Sequence, residues 1–299
     1  MIQFNLRALV ALLFLVGNVP ASASPIDSAE RREVSIPAGE ITLAATLYRP
    51  AAAKGDIPAV VLGHGSAPST RAMMSFWTNI ALQTGLAVLV FDKRGTGKST
   101  GQFQEWDVAK TPKLFEDQAS DLGHAVRWLA KQRGVDVRHL GLMGGSQAGW
   151  TMPLAAFQEP IVRFLVIGEG VPLPAGVEEA HGHYLWATRR NREGKPELRQ
   201  VLGADLMGLD YAAQKGFDPA PVLEKLTVPT LWIFGLYDTD IPTRQSIDRI
   251  GQLQQMGRRN HDIHIFPFGD HNFQDAFSGE RYDLAKVSRQ WLQELQILP

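Results

Sequence analysis

The sequence predicts an α/β fold with a mostly parallel sheet, and two patterns support this prediction. Short, continuous apolar runs at residues 59–63 and 86–91 are typical of strands that are buried on both faces. Helical patterns lie between such runs, and in one of them the apolar residues step by 4, 3, 4 and 3 from Phe115 to Leu129. Strands that alternate with helices tend to lie parallel to one another in one sheet.

The remaining elements follow in chain order. The sequence predicts strands at residues 33–36, 41–48, 59–63, 86–91, 140–143, 162–167, 230–234 and 263–266. Thr111 and Pro112 are predicted as the N-cap and the first residue of the helix that ends near Leu129. Apolar residues spaced by 3, 4 and 4 predict a C-terminal helix at residues 284–295.

Length and composition indicate one large domain. The 299 residues are 44% apolar and 20% charged, which is ordinary for a globular protein with a sizeable core. A net charge of −1 creates no field that would attract nucleic acid, so we do not expect that class of partner. The polar, helix-like segment 170–225 interrupts the alternation, and we interpret it as a helical cap inserted over the carboxyl edge of the sheet.

The N-terminal residues have the pattern of a secretory signal peptide. A positive charge at Arg7 precedes an unbroken apolar run at residues 8–16, and small residues at 21–23 form a cleavage site. The run is too short to span a bilayer, which takes about 20 residues. We therefore expect cleavage after Ala23, no stable membrane insertion after cleavage, and a mature domain of residues 24–299 in the periplasm or outside the cell.

The strongest chemical motif is the turn around Ser146, where residues 141–150 are GLMGGSQAGW. A predicted strand ends here, a tight turn of small residues follows, and an apolar helix begins near Gln147. Gly144 and Ala148 lie two residues to either side of Ser146, where a larger side chain would collide in so sharp a turn. The pattern predicts a nucleophile elbow that directs a helix N-terminus at the site. An ordinary glycine-rich turn is the alternative.

A serine hydroxyl is a weak nucleophile and needs a base, which an acid holds in turn. Among the eight histidines, only His64 and His271 directly follow a predicted strand, at the edge where such sites form. For a nucleophile elbow the chain order is serine, acid, histidine, and His64 precedes Ser146. His271 is therefore the predicted base.

Asp238 and Asp240 are both candidates for the acid, since both follow the seventh predicted strand. Asp238 lies three residues after Gly235, near the sheet edge, and is the preferred candidate. Asp240 lies nearer the next helix, where we expect a solvated or turn-capping carboxylate. Asp270 adjoins the base, but adjacent side chains seldom point the same way, so we interpret it as a loop acid.

Two backbone N–H groups are predicted to bind the oxyanion of a tetrahedral intermediate. One belongs to Gln147, directly after the nucleophile. The other belongs to Ser66, in the loop after the third predicted strand, where Gly65 permits close approach of the backbone. A purely structural turn is the alternative for this loop.

Three further side chains are candidates for substrate contacts, namely His64, Tyr184 and Trp186. The two aromatic residues of the predicted cap could equally be packing residues. Residues 92–99, DKRGTGKS, end like a P-loop, but Asp92 stands where that motif requires glycine, so we predict a structural turn. His181 and His183 have no third ligand at a familiar spacing, and no metal site is predicted.

Together these motifs resemble the α/β-hydrolase superfamily across roughly residues 33–297, and within it bacterial esterases related to serine aminopeptidases and prolyl-oligopeptidase-type catalytic domains. The resemblance is carried by five short segments, namely His64-Gly65-Ser66, residues 92–97, residues 144–149, Gly235 with Asp238, and His271. It implies an eight-stranded core sheet and a triad of Ser146, Asp238 and His271. Ala148 departs from the second glycine of the usual motif, a change that such families tolerate.

We therefore expect a carboxylesterase-like enzyme that forms an acyl-enzyme on Ser146, takes a small-molecule ester or acyl substrate and needs no cofactor. A peptidase or amidase with the same triad is one alternative. Its substrate amine would need an anionic anchor, for which Glu169 or the pair Glu178 and Glu179 are candidates. A non-catalytic binding protein of the same fold is the other alternative. The physiological substrate and the oligomeric state do not follow from the sequence.

Overall fold

The structure, a computed structural model, describes residues 24–189 and 216–299, with side chains described for residues 24–182 and 216–299. An eight-stranded sheet organises this part of the chain. The strands are β1 (Glu30–Ala38), β2 (Ile41–Arg49), β3 (Ile57–Gly63), β4 (Ala87–Phe91), β5 (Val135–Gly145), β6 (Val162–Gly168), β7 (Thr230–Gly235) and β8 (His261–Phe266).

The spatial order of the strands is β1-β2-β4-β3-β5-β6-β7-β8. The pairs β1–β2 and β2–β4 are antiparallel, and every other neighbouring pair is parallel. This sheet confirms the predicted fold class. The parallel strands end at one edge, so the loops that follow them are brought together there.

Helices cover both faces of the sheet. They are α1 (Pro25–Ser28), α2 (Ser75–Thr84), α3 (Thr111–Leu129), α4 (Ala148–Gln158), α5 (Ala175–Arg189), α6 (Ala220–Leu223), α7 (Thr243–Gln255) and α8 (Leu284–Glu294). The apolar residues of α2 and α8 pack in the core of one face, and those of α3, α4 and α7 pack in the core of the other. Within the described residues, no helix combines the length and the apolar character needed to cross a membrane.

The apolar face of α3 shows why the sequence periodicity predicted this helix. The five residues that defined the pattern are all at most 2% exposed, namely Phe115, Ala119, Leu122, Val126 and Leu129. Burying each large side chain contributes about 1.5–3 kcal/mol, which stabilises the helix against the sheet. The helix starts at Thr111 with Lys110 at the N-cap position, so the prediction of Thr111 as N-cap is wrong by one residue.

Some strands extend beyond their predicted ends, because backbone pairing continues through polar residues that carry no apolar signal. β5 begins at Val135 rather than at residue 140, and His139 therefore lies inside it instead of before it. β8 begins at His261 rather than at residue 263, so this histidine also lies inside a strand. In β1, pairing with β2 reaches back to Glu30, opposite Arg49.

Helices α5 and α6 belong to the segment predicted as a cap, residues 170–225. Residues 190–215 lie outside the described part of the chain. The candidate substrate contacts Tyr184 and Trp186 lie on α5, but their side chains also fall outside it. The cap and its role in shaping a pocket stay a prediction.

Candidate active site

Ser146 occupies the tip of the turn between β5 and α4. Its φ is +57°, a left-handed conformation that is strained for a residue with a side chain and that persists only where the surroundings impose it. The Ser146 N–H donates to the carbonyl of Gly168, at 3.0 Å, and the Ser146 carbonyl accepts from the Gly149 N–H, at 2.8 Å. The turn is thereby tied to the end of β6 and to the first turn of α4.

The small residues around Ser146 are required by close packing. A Cβ atom on Gly144 would lie 2.4 Å from the carbonyl oxygen of Gly63, and one on Gly149 would lie 2.6 Å from Cα of Gly170. Ala148 has no exposed surface. Larger side chains at these positions would therefore collide with neighbouring atoms, as the sequence pattern predicted for this turn.

The loops after β7 and β8 bring Asp238 and His271 together. Nδ1 of His271 lies 2.7 Å from Oδ2 of Asp238, a distance typical of a charge-assisted hydrogen bond. Asp238 has no exposed surface, and its second oxygen, Oδ1, accepts the backbone N–H of Asp240 at 2.7 Å. The structure thus pairs the predicted base with the preferred acid, while Asp240 contributes a backbone donor to that acid.

The environment of His271 favours its protonated form. Burial opposes the charge, but it is outweighed by the carboxylate and hydrogen bond of Asp238 and by the charges of Asp240 and Glu178. Together they raise the pKa of His271 to about 9. When the imidazole of His271 is neutral, this environment makes it a strong proton acceptor, because it stabilises the cation that forms.

A metal ion would compete with the hydrogen bond between His271 and Asp238. Ligand atoms of Asp238, Asp240 and His271 lie within 4.8 Å of one another, the one such group in the described residues. Nδ1 of His271 is already committed to Asp238 at 2.7 Å, so a cation would have to displace the shared proton. The donor set suits a hydrogen-bonded acid and base better than a metal centre.

Glu169 follows β6 and is buried directly beside the acid. Its backbone φ is +48°, and its side chain is 1% exposed. Oε1 accepts the backbone N–H of Gly235 at 2.7 Å, whereas Oε2 has no N–H or hydroxyl donor among the described residues. Burial and the neighbouring Asp238 raise the pKa of Glu169 well above its usual value. The protonated form is therefore favoured, and in that form the carboxyl can donate a hydrogen bond to Asp238.

A cavity of about 280 Å³ opens onto both Ser146 and His271. Glu169 and Gly65 also line it, and Arg281 supplies a cation at its wall. The apolar part of the lining comes mainly from α2 and the turn before it, namely Met73, Met74, Phe76 and Trp77, with Phe273 from the loop after β8. These residues were not predictable from the sequence, since nothing in their spacing distinguishes them from ordinary core positions.

The two predicted oxyanion donors remain available. Neither the Ser66 N–H nor the Gln147 N–H has an acceptor among the described residues, although the N–H groups of Ser146 and Gly149 in the nucleophile turn are bonded. A Cβ atom on Gly65 would lie 3.8 Å from Cβ of Ser146, which places this loop against the nucleophile. Free amides beside a nucleophile can bind a developing oxyanion.

His64, a candidate for substrate contact, is not brought into the cavity. It is 6% exposed, and its Nε2 lies 2.8 Å from the carbonyl oxygen of Phe91, so its ring is directed at β4. Burial and the charge of Lys93 lower the pKa of His64 to about 4, and it is neutral at physiological pH. The end of a strand was a correct location for a site residue, but the side chain is turned into the fold.

Glu178 on α5 is a further carboxyl group near the base. Burial and the charge of Glu179 raise the pKa of Glu178 to about 7, and His271 acts on it in the opposite sense. Of the two alternative amine anchors, Glu169 thus lines the cavity directly, and Glu178 lies within electrostatic reach of His271.

Comparisons with known proteins agree with this fold. Solved structures show the same fold, among them the Pyrococcus furiosus esterase Pf2001, with a TM-score of 0.65 at 18% identity over 90% of this chain and 93% of that one. The Pyrococcus horikoshii acylaminoacyl peptidase has a TM-score of 0.62 at 16% identity, over 89% of this chain and 41% of that one.

Curated relatives match over shorter shares of their own length. Thiohydrolase aneE of Aspergillus aculeatus is 33% identical over 110 residues, which is 36% of this chain and 32% of the relative. The probable dipeptidyl-aminopeptidase B of Fusarium vanettenii is 26% identical over 231 residues, 77% of this chain and 23% of the relative. The chain thus covers a third or less of the length of either relative.

The profile of the prolyl oligopeptidase family matches residues 72–296, well over half of the chain. That range contains Ser146, Asp238 and His271 in the expected order. The chain belongs to the prolyl oligopeptidase family of serine hydrolases, within the α/β-hydrolase superfamily.

Proposed function

We propose that this serine hydrolase cleaves carboxylic esters of small acyl groups, with Ser146 as nucleophile, His271 as base and Asp238 as acid. The observation that carries the proposal is the 2.7 Å contact between His271 and the buried Asp238, with His271 and Ser146 lining one cavity. The cavity volume of about 280 Å³ lies at the lower end for small-molecule sites, which favours a compact acyl group.

Acylation follows from the arrangement. Ser146 Oγ attacks the ester carbonyl carbon while Nε2 of His271 takes the hydroxyl proton, and Asp238 stabilises the imidazolium through Nδ1. The C–O π electrons move to the carbonyl oxygen, which becomes an oxyanion that the N–H groups of Ser66 and Gln147 bind. When this intermediate collapses, the bond to the alkoxide leaving group breaks, and His271 returns the proton to it.

Deacylation repeats these steps with water. His271 removes a proton from water as the oxygen attacks the acyl-enzyme carbonyl, and the same two N–H groups bind the second oxyanion. Collapse breaks the bond to Ser146 Oγ, which recovers its proton from His271. The products are a carboxylic acid and an alcohol, and the enzyme returns to its starting state.

Hydrolysis of substrates with a free amine is the second candidate function. It is favoured by the carboxyl group of Glu169 in the cavity and by that of Glu178 near His271. A bound ammonium group would stabilise either carboxylate, and a family of peptidases makes an aminoacyl substrate reasonable. Against this candidate, burial and the neighbouring Asp238 raise the pKa of Glu169, which disfavours the carboxylate form that would bind an ammonium group.

A substrate panel separates the candidates. The mature protein is assayed with p-nitrophenyl esters of increasing acyl length, with aminoacyl p-nitroanilides and with an acyl thioester, each beside Ser146→Ala. We expect turnover of short esters that Ser146→Ala abolishes. Faster Ser146-dependent cleavage of the anilides than of any ester would replace the ester proposal by the peptidase one. No Ser146-dependent turnover of any substrate would indicate a binding protein.

We also propose that the protein is exported after removal of residues 1–23. The support is the sequence pattern itself, with Arg7, the apolar run at residues 8–16 and the small residues that end at Ala23. The substrate would then be a compound available outside the cytoplasm.

A further inference from the structure

Lys93 is a buried cation that the mechanism above does not use. It follows Asp92 in the loop after β4 and is 2% exposed. Buried lysines are rare unless they are paired, yet Lys93 forms no ion pair with a carboxylate among the described residues. Burial lowers the pKa of Lys93 to about 7. Because burial of an unpaired ammonium group is unfavourable, we asked which function of Lys93 could account for it.

The hydrogen-bond acceptors of Lys93 belong to the two halves of the oxyanion site, and its Nζ also lies 5.4 Å from the ring centroid of Phe103. Nζ donates to the carbonyl oxygen of Gly65 at 2.8 Å and to Oε1 of Gln147 at 3.0 Å, with longer contacts to the carbonyls of Ser66 at 3.3 Å and Ala67 at 3.4 Å. One ammonium group therefore connects the loop after β3 with the residue that follows the nucleophile. These are the segments whose N–H groups are free.

Peptide geometry links the Gly65 contact to the direction of the Ser66 N–H. The C=O of Gly65 and the N–H of Ser66 belong to one planar trans peptide unit, so they point in opposite directions. When Lys93 holds the carbonyl at 2.8 Å, the N–H is fixed away from the ammonium group. Without that contact, the peptide unit could rotate and the donor would lose its alignment.

We propose that Lys93 is a positioning residue of the oxyanion hole, which holds the Gly65–Ser66 peptide and the Gln147 side chain so that the two free N–H groups converge beside Ser146. The proposal rests on the proposed acyl-enzyme mechanism. Lys93 does not contact the substrate. It acts on the transition state through the loop, and its contacts are charge-assisted and correspondingly strong when it is protonated.

Replacing the ammonium by a neutral group of similar length tests this role. For Lys93→Met we expect kcat on a short p-nitrophenyl ester to fall about 10²-fold, within the range for loss of one oxyanion donor, while KM changes less than about threefold. Affinity for a trifluoromethyl ketone, whose serine adduct carries an oxyanion, should fall in parallel with kcat/KM. A group that only stabilises the fold would not produce this parallel loss.

Arg94→Met is the matched control, because Arg94 is the next residue and is bound to the fold alone. Its guanidinium makes two 2.7 Å hydrogen bonds to Asp121 on α3. Loss of that pair should lower the melting temperature while leaving both kcat and ketone affinity of the folded enzyme within about threefold of wild type. Lys93→Met should instead lower kcat and ketone affinity strongly, and it should change the melting temperature less than Arg94→Met does.

The chain contains no cysteine, which permits chemical rescue. In Lys93→Cys the new thiol is the only one, and 2-bromoethylamine converts it under denaturing conditions to a thioether analogue of lysine. After refolding we expect at least a tenfold recovery of kcat relative to the same variant alkylated with a neutral ethyl group. Equal activity of the two alkylated proteins would overturn the proposal.

Failure of this inference is distinct from failure of the proposed function. If Ser146 is required for turnover but Lys93→Met keeps kcat and ketone affinity within about threefold of wild type, the positioning role is wrong and the triad stands. If the wild-type chain shows no Ser146-dependent hydrolysis, the proposed function fails first. The positioning role is also contradicted if the activity of Lys93→Met falls only in proportion to the amount of folded protein and alkylation of Lys93→Cys with 2-bromoethylamine restores no activity.

Discussion

Nδ1 of His271 lies 2.7 Å from Oδ2 of Asp238, and this aspartate has no exposed surface. In the neutral imidazole the contact fixes which ring nitrogen carries the proton, because Nδ1 must donate to the carboxylate and Nε2 is left free to act as a base. Burial of Asp238 excludes water from the carboxylate, while the His271 side chain remains 23% exposed to the cavity. The geometry therefore prepares His271 for proton transfer before any substrate binds.

The two neighbouring aspartates should respond differently to amide substitution. Asp238→Asn should lower kcat by about 10⁴, as in a trypsin-like enzyme where the amide selects the wrong histidine tautomer. Asp240→Asn should keep kcat within about threefold, since Asp240 reaches the acid through its backbone N–H, which the substitution retains. Kinetics and thermal unfolding of both variants provide the check. An inactive Asp240→Asn enzyme with an active Asp238→Asn partner would reverse the assignment.

Activity should rise with pH over an unusually alkaline range. His271 acts as a base only when neutral, and its pKa is raised to about 9, so kcat/KM should fall as pH drops below that value. In the profile of kcat/KM against pH, measured by pH-stat titration of ester hydrolysis, we expect the midpoint of the acidic limb to lie clearly above pH 6.5. The Asp240→Asn variant should move the limb to lower pH, because it removes one charge that favours the imidazolium. A wild-type midpoint at or below 6.5 would contradict this environment.

The same shift has a consequence for folding. A histidine whose pKa is higher in the folded state contributes stability that is fully present below its unfolded pKa, near 6.5, and that is lost as pH rises through about 9. The difference in melting temperature between wild type and Asp238→Asn should therefore be larger at pH 6 than at pH 9.5. If the difference in melting temperature instead grows with pH, folding does not raise the pKa of His271.

Glu169 should tolerate an amide but not an alkyl side chain. A protonated carboxyl and an amide can both donate to Asp238 and accept the Gly235 N–H, so Glu169→Gln should keep kcat within about threefold. Glu169→Leu removes both functions and leaves a buried N–H unsatisfied, which costs about 1–3 kcal/mol of stability and at least tenfold in kcat. If Glu169→Gln instead loses activity selectively on substrates with a free amine, Glu169 is an anionic anchor.

Much of the site follows from where strands end. Ser146 and Asp238 occupy loops after the buried ends of β5 and β7, and His271 occupies the loop after the partly exposed β8. The common edge of a parallel sheet brings such loops together. His64 met the same criterion, but the sequence does not encode the direction of its ring, which is turned toward Phe91. The sequence thus predicted that these four residues lie at the carboxyl edge of the sheet, but it did not predict the direction of the His64 side chain.

Lys93 shows a different limit of sequence interpretation. Residues 92–99 were interpreted as a structural turn, and in part they form one, since Asp92 accepts the backbone N–H groups of Arg71 and Lys98. The contacts of Lys93 with Gly65 and Gln147 join segments 28 and 54 residues away. Because they depend on the spatial order of β3, β4 and β5, no local pattern reveals them.

Export should leave a defined N-terminus. We expect the mature chain to begin at Ser24, because the small-residue pattern ends at Ala23. N-terminal sequencing of the protein from periplasmic and culture fractions measures this directly. Recovery of chains that retain Met1 and reside in the cytoplasm would contradict export.

Covalent labelling of Ser146 is the most direct test of the central claim. A fluorophosphonate reacts with an activated serine, and we predict one adduct per chain, on the peptide that contains Ser146, by mass spectrometry of the digested protein. Ser146→Ala should take up no label and should lose hydrolysis by several orders of magnitude, as removal of the nucleophile does in a well-studied serine protease. Labelling at another residue, or a Ser146→Ala enzyme that keeps more than about a tenth of the wild-type rate, a barrier change of only ~1.4 kcal/mol, would contradict the account.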